Sequence, residues 1–360
     1  MKNIQYTTLL VIILFAAAQN CAVAQFDFSD PKTEKPEKTE IETPKKVSNA
    51  KLTPDTKSGT NGPKYGRTTT QSWQTGVKLK AVAKCTDMFI MIPVPMNWPE
   101  QKVTIHEDKA TDNLAKVSRR NHPNGGLQLM VVKVNELNPG KSTAASLTVE
   151  VTRAEILPPD KESIAKLSIP PTTKLSTKEF EPFLKPSPKI ESDKTAFRDL
   201  FKTITKDIES DWEKIEAIYK YVQNTITYDD GNKAVSGNSA AETMKLKRGD
   251  CKEMTAVFIA ICRAGKIPAR TVWVPEHCYV EFFMMDNEGN GYWFPCQVSG
   301  TYAFGGIPEM GPILQKGDNF TFKEFPKEKF RFVEREVICQ SQVSPTYEFF
   351  STPIVVNRSN

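Results

Sequence analysis

The sequence of 360 residues predicts an α+β protein, in which an all-β domain precedes a domain built from helices and strands. Residues 66–157 alternate apolar and polar side chains over short runs separated by turn sequences, as in a β-sandwich. From residue 191 onward, apolar residues recur at helical spacing instead, and strand-like runs follow. We therefore expect a β-sandwich at 66–157 and a second domain at 191–345.

The first 24 residues have the pattern of a secretory signal peptide. Lys2 supplies a positive start, residues 9–18 form an apolar centre, and Ala22 and Ala24 provide a small-residue cleavage site. The apolar run is shorter than the roughly 20 residues that a membrane-crossing helix needs. We expect export to the periplasm or the extracellular space, with no membrane span left after cleavage.

Three further segments differ in composition from the two domains. Residues 25–65 are rich in Lys, Glu, Thr and Pro, and such a segment buries too little apolar surface to offset its ordering entropy, which predicts a disordered tether. Residues 158–190 are a proline-rich connector, and residues 346–360 are expected to form a C-terminal tail. The net charge of +5 is mild and not gathered into one basic block, which argues against nucleic acid as a partner.

The β domain and the first helices follow from local patterns. Val77, Leu79 and Ala81 lie on one face of an alternating run, and the apolar stretch "MFIMIPVP" is typical of a strand covered on both sides. In the second domain, Ser210 and Glu213 form a capping-box pattern between two helical stripes. The first stripe comprises Phe197, Leu200, Phe201, Ile204 and Ile208, and the second comprises Ile215, Ile218, Tyr219 and Val222.

The stretch "RGDCKEMTAVFIAICRAGKIPAR", residues 248–270, predicts a helix that begins near Cys251. Its apolar face comprises Met254, Val257, Phe258, Ile261 and Cys262. Gly265 and Pro268 are expected to end it. Cys251 occupies the first turn, where unpaired N–H groups and the helix dipole favour a thiolate and can bind an oxyanion. Cys262 lies in the apolar stripe and is expected to be an inert core thiol.

Other roles for Cys251 are possible on sequence grounds. The six cysteines that follow the signal peptide are scattered, with no CxxC pair and no clustered histidines, which argues against a structural zinc site. Export permits disulfides, so a structural or disulfide-bonded Cys251 is the alternative to a nucleophile. A satisfied core histidine is the corresponding alternative for His277, the only histidine after Cys251.

His277 lies on the first strand of a predicted hairpin. Folding the chain about Asn287 places His277 opposite Gln297 and Cys278 opposite Cys296 on the other face. A histidine and a polar amide would then share one face. The two cysteines behind them would form a disulfide or pack as thiols.

These residues match a known family in their order along the chain. "GDC" at a helix start, "RAGKIPAR" at its end, "HCYVEF" on the next strand and "YWFPCQ" on the one after resemble the transglutaminase-like superfamily, over about Asp211 to Val298. The resemblance implies a papain-like core, with helices packed on an antiparallel sheet, and a preceding β-sandwich is a common companion of that core. It also implies Cys251 as nucleophile and His277 as general base and later acid.

The third catalytic position departs from the family pattern. The family usually carries an aspartate in a W-x-P-x-D pattern, whereas this chain has Gln297 after Trp293 and Pro295. An amide oxygen can still accept from the imidazole N–H and hold its tautomer, although it stabilises an imidazolium less than a carboxylate does. Gln297 is thus either an orienting residue or a strand residue with no role.

Two functions are consistent with these features. One is an exported cysteine enzyme that performs acyl transfer or amide hydrolysis on protein or peptide carboxamides through a thioester. The other is a catalytically inactive scaffold or binding protein of the cell envelope, which Gln297 favours. No EF-hand pattern occurs, so neither metal nor cofactor is implied. The oligomeric state is not indicated by the sequence.

Overall fold

The computed structural model describes residues 60–175, 178–229, 237–341 and 343–354. The expected signal peptide and the expected tether up to residue 59 lie outside these ranges, as do residues 355–360 of the expected tail. The described end of the predicted tether already contacts the folded protein. Asn61 is buried and donates to Asp286 at 3.1 Å, and the first strand begins at Lys64.

The sandwich strands alternate because each turns one face toward a shared apolar core. The first six are β1 (Lys64–Lys80), β2 (Cys85–Val94), β3 (Gln101–Ala110), β4 (Ala115–Asn121), β5 (Gln128–Leu137) and β6 (Ser142–Leu157). The predicted connector then holds helix α1 (Lys161–Ile164), a 3-10 turn (Thr172–Lys174) and helix α2 (Glu181–Leu184).

The second domain has longer helices than the connector. No helix in the described ranges of the chain is long and apolar enough to cross a membrane. Its helices are α3 (Thr195–Thr205), α4 (Asp211–Thr225), α5 (Ala240–Leu246) and α6 (Cys251–Ala264). Its strands are β7 (Thr227–Tyr228), β8 (Arg248–Gly249), β9 (Ala269–Val274), β10 (His277–Met285), β11 (Gly291–Gln297), β12 (Ala303–Phe304), β13 (Gln315–Lys316), β14 (Phe320–Phe322) and β15 (Phe325–Phe330). The chain continues with β16 (Glu336–Ile338) and β17 (Thr346–Ile354).

The sandwich consists of two antiparallel sheets, ordered β17-β1-β6-β3 and β16-β2-β5-β4. The segment expected as a C-terminal tail therefore contains an edge strand, since β17 pairs with β1 along Thr346–Ile354. Likewise β16, within the predicted second domain, pairs with β2. The physical reason is that β1 and β2 would otherwise present unpaired backbone edges, and Phe349 and Val337 pack against the sandwich core.

The second domain is built around a five-stranded antiparallel sheet ordered β12-β11-β10-β9-β13. Helix α6 packs against β9 and β10, while α3, α4 and α5 pack around its other sides. It is buried on nearly all of its surface, because even its residues outside the predicted stripe, such as Thr255 and Ile259, are fully enclosed. The α+β fold class is as the sequence predicts.

The β10–β11 hairpin differs in register from the prediction. Met285 pairs with Gly291 and Val280 with Cys296, so the hairpin turns about Glu288 rather than Asn287. Asp286 sets this turn, because its carboxylate accepts the backbone N–H groups of Glu288 and Asn290. Cys278 is therefore not opposite Cys296. Moving the turn centre by one residue shifts the pairing register of the two strands by two residues, which leaves every side chain on its expected face of the sheet.

A buried ion pair fixes the C-terminal end of α6. The guanidinium of Arg263 donates to both carboxylate oxygens of Asp318, at 2.8 and 2.9 Å, and also to the backbone carbonyl of Ala269. Neither side chain of the pair is exposed to solvent. Asp318 also accepts the backbone N–H of Thr271 on β9. This network joins α6 to the sheet at the end far from Cys251.

We expect Asp318→Asn to destabilise the protein by about 3–5 kcal/mol, because it leaves the guanidinium of Arg263 buried without a counter-charge. The matched control is Asp199→Asn, which removes an exposed pair with Lys202 and should change stability by less than about 0.5 kcal/mol. Urea unfolding followed by tryptophan fluorescence measures both. Equal stability losses for the two variants would contradict a structural role for the Arg263 pair.

Candidate active site

Cys251 is the first residue of α6, and the residues around it hold the helix start in place. The Asp250 carboxylate accepts the N–H of Lys252 at 2.6 Å, and the Glu253 carboxylate accepts the N–H of Asp250 at 3.1 Å. This is a capping box. Gly249 precedes it because an added Cβ would lie 2.6 Å from the Cβ of Glu253. The position leaves the Cys251 N–H without an intrahelical partner.

The Cys251 thiol is strongly acidified. Its pKa falls to about 5, chiefly because of its side-chain hydrogen bond with Cys278. The hydrogen bond and positive charge of His277 lower the pKa further, while burial and the Asp250 carboxylate oppose the change. Cys251 is only 7 % exposed. The favoured state at neutral pH is therefore a thiolate, the nucleophilic form of cysteine.

His277 stands at the start of β10, directly after a tight turn. Pro275 and Glu276 form the turn between β9 and β10, with Glu276 in the left-handed region at φ 60°, so that His277 pairs with Val274. The pKa of His277 is raised, mainly by its hydrogen bond to Cys251, although burial opposes this. The thiol and the imidazole thus favour a thiolate–imidazolium pair.

Gln297 reaches His277 from the end of β11. Its Oε1 lies 3.4 Å from Nε2 of His277, a long hydrogen bond. The two residues meet diagonally, because Gln297 lies on the same face of the sheet as His277 in the observed register. The structure therefore brings together all three residues that the sequence singled out, Cys251, His277 and Gln297.

Two further residues act on this pair, and the sequence analysis did not identify them. The carboxylate of Glu309 contributes to the raised pKa of His277. Glu309 lies in a loop of Gly and Pro residues that has no periodic signal. The second residue is Cys278, whose thiol faces Cys251. Cys278 directly follows His277 in the sequence, which could have indicated that it lies near Cys251. The predicted hairpin register placed it opposite Cys296 instead.

All six described cysteines are free thiols. Cys278 is fully buried and packs with Cys251 and Trp273, and its own pKa is raised well above the ordinary value, first by burial. Cys262 and Cys296 lie in the core, where burial raises their pKa. Cys262 therefore has the properties of an inert core thiol. Within the described ranges, no cluster of His, Cys, Asp and Glu is suited to hold a metal ion.

Part of the chain matches a known family model. Residues 198–298 match the model of the transglutaminase-like superfamily. The crystal structure of a "putative cysteine protease" from Cytophaga hutchinsonii is similar at a TM-score of 0.53 and 17% sequence identity, over 82% of this chain and 94% of that chain. The match over residues 198–298 confirms the resemblance to the transglutaminase-like superfamily, and the likeness to the solved structure shows a similar fold over most of the chain.

A second solved structure is only weakly similar to this chain. The crystal structure of a "putative protease" from Parabacteroides distasonis matches at a TM-score of 0.22 and 11% identity, over 65% of this chain and 72% of that chain. A TM-score this low has no bearing on the fold. None of the curated proteins matches the sequence.

We expect alkylation of Cys251 by iodoacetamide to increase with pH around a midpoint near 5, whereas an ordinary thiol titrates near pH ~8.5. His277→Ala removes a hydrogen bond and a positive charge from the thiolate. The midpoint should therefore move upward, and the rate at pH ~6 should fall on the order of tenfold, since a less acidic thiol is partly compensated by greater nucleophilicity. Mass spectrometry of the peptide that contains Cys251 measures the rate. An unchanged midpoint in the variant would contradict the pairing.

A second prediction concerns Cys278, whose hydrogen bond is the largest cause of the low Cys251 pKa. Cys278→Ala removes the donor and should raise the midpoint for Cys251 alkylation toward the ordinary value. Cys278→Ser is the matched control, because its hydroxyl can still donate and should keep most of the acidification. If both variants retain the parent midpoint, the thiol of Cys278 has no effect on Cys251.

Proposed function

We propose that this chain is an exported cysteine enzyme that cleaves or transfers carboxamide acyl groups of proteins or peptides through a thioester on Cys251. The observation that carries the proposal is the placement of Cys251 in the first turn of α6 beside His277, whose hydrogen bond and charge help to lower the pKa of the thiol. A thiol kept for packing alone, such as Cys262, has its pKa raised by burial instead. Activated nucleophiles are concentrated at catalytic sites.

The reaction follows from the roles that these groups can take. The Cys251 thiolate attacks the carboxamide carbon, and the oxygen takes up the negative charge within reach of the Cys251 N–H. The imidazolium of His277 then gives its proton to the departing amine or ammonia, which leaves a thioester. Neutral His277 next accepts a proton from the attacking amine or water, whose nitrogen or oxygen displaces the sulfur. An amine gives transamidation and water gives hydrolysis.

Gln297 is proposed to orient His277 in this scheme. Its amide oxygen can hold the Nε2–H tautomer, which directs Nδ1 toward Cys251. Because Gln297 carries no charge, the electrostatic stabilisation of the imidazolium has to come from elsewhere, and the Glu309 carboxylate contributes to it. The neutral residue at this position is also the observation that favours a second candidate function, a catalytically inactive scaffold or binding protein of the cell envelope.

Export is proposed on the signal-peptide pattern of residues 1–24 and the charged, proline-containing stretch that follows. The proposed setting is the periplasm or the extracellular space. The proposed substrates are proteins or peptides, which fits a fold shared with a protein named as a protease.

The test measures ammonia release and acyl-enzyme formation on a glutamine-containing peptide, with intact-mass spectrometry to detect the thioester. We expect activity in the parent, its loss in Cys251→Ala, and equal or up to ~tenfold higher turnover in Gln297→Asp, since a carboxylate stabilises the imidazolium better than an amide. A scaffold would show no adduct, and Cys251 would be alkylated no faster in the folded protein than in the unfolded chain. Total loss of activity in a folded Gln297→Asp variant would exclude the orienting role.

A further inference from the structure

A cleft of about 680 Å³ lies between the sandwich and the transglutaminase-like core. Its volume is within the range of ligand pockets in proteins, roughly 300–1,000 Å³. Four parts of the chain form its wall: sandwich strands, the end of β9 with the turn that follows it, the segment before β13, and the segment after β15. Residues of both domains therefore line the cleft.

The cleft lies next to the candidate active site at two points, although Cys251, His277 and Gln297 do not line it. Pro275 and Glu276, which line it, form the turn that directly precedes His277. On another side it is lined by Phe332, whose ring packs at 4.6 Å on Trp273, a neighbour of Cys251. The cleft thus adjoins residues that neighbour both His277 and Cys251.

The interior of the cleft is apolar and its mouth is charged. Its inner wall comprises Trp73, Pro93, Pro95, Val274, Leu314 and Phe332. Proline has no N–H, so this wall offers few hydrogen-bond donors; one is the indole N–H of Trp73, which is buried and has no partner among the described residues. At the mouth, the exposed residues Glu276, Glu334 and Arg335 carry charges of both signs, which gives no preference for an anionic or cationic ligand.

We infer that this cleft binds the part of an extended peptide substrate that flanks the reacting amide, and that it selects apolar residues there. The inference rests on the proposed function, because it takes the occupant to be the substrate of Cys251. A cavity of this size fits a few apolar side chains, whereas a protein surface would need a broad, flat contact area. The cleft thus determines sequence preference and the Cys251–His277 pair determines the chemistry.

Binding to the Cys251→Ala protein tests the cleft without chemistry. The probes are two fluorescein-labelled peptides with a central glutamine: leucine, valine and proline flank it on both sides in one, and serine replaces these residues in the other. Fluorescence anisotropy should show at least ~tenfold tighter binding of the apolar peptide. Leu314→Asp and Trp73→Ala, each added to Cys251→Ala, should abolish this preference. Leu114→Asp is the matched control, since Leu114 is exposed in the β3–β4 turn outside the cleft and should leave binding unchanged.

The outcomes separate the cleft from the chemistry. Equal binding of both peptides, or unchanged preference in both folded cleft variants, overturns the inference even if Cys251 releases ammonia from glutamine peptides. Selective binding that depends on Leu314 and Trp73 supports the cleft even if Cys251 proves unreactive, in which case only the proposed enzyme activity fails. Circular dichroism identifies a misfolded Leu314→Asp variant, and Trp73→Ala then decides the result.

Discussion

The fixed position of α6 is the constraint on which the candidate site depends. The helix is enclosed by the sheet on one side and by three helices on the others, so its sequence is apolar well beyond one stripe. The capping box holds one end, and the Arg263–Asp318 pair holds the other. Because β9 and β10 are the strands it contacts, and β10 begins with His277, the packing that buries α6 also brings the thiol to the imidazole.

In the candidate site, the side chain that orients the imidazole differs from the one that contributes most to the low pKa of the Cys251 thiol. A carboxylate that hydrogen-bonds the histidine would raise the imidazole pKa strongly and the thiolate would follow. Here an amide, Gln297, accepts from the ring, while a hydrogen bond with Cys278 lowers the pKa of Cys251 and Glu309 adds a more distant negative charge near His277. Acidification of the sulfur and orientation of the ring are thus assigned to different side chains.

Much of the fold and the identity of the central residues could be predicted from the sequence, because they depend on local signals. The helix starts at Cys251 and is followed by Gly265 as the sequence predicts, since capping residues and apolar spacing act within a few residues. The centre of the hairpin turn lies one residue later than predicted, because the carboxylate of Asp286 accepts hydrogen bonds from backbone N–H groups of the turn. Counting residues equally on both sides of a chosen centre does not take such a contact into account.

The remaining differences come from contacts between distant parts of the chain. Strand β17 becomes regular only when β1 supplies its partner, and nothing in its own sequence specifies that partner. The approach of Cys278 to Cys251 depends on how the sheet packs on α6, as does the approach of Glu309 to His277. Such tertiary contacts are not encoded in local sequence patterns. The sequence therefore predicted the three site residues but not the contacts that Cys278 and Glu309 make with them.

The return of β16 and β17 to the sandwich has a consequence for biosynthesis. Each of the two sheets takes one strand from residues beyond 335, more than 240 positions after the strands with which these pair. A ribosome releases the amino-terminal β-strands long before β16 and β17 exist, so each sheet lacks one edge strand until residues 336–354 have been made. Because the residues of the second domain up to β15 are made before β16 and β17, the edges of β1 and β2 stay unpaired while that domain is synthesised.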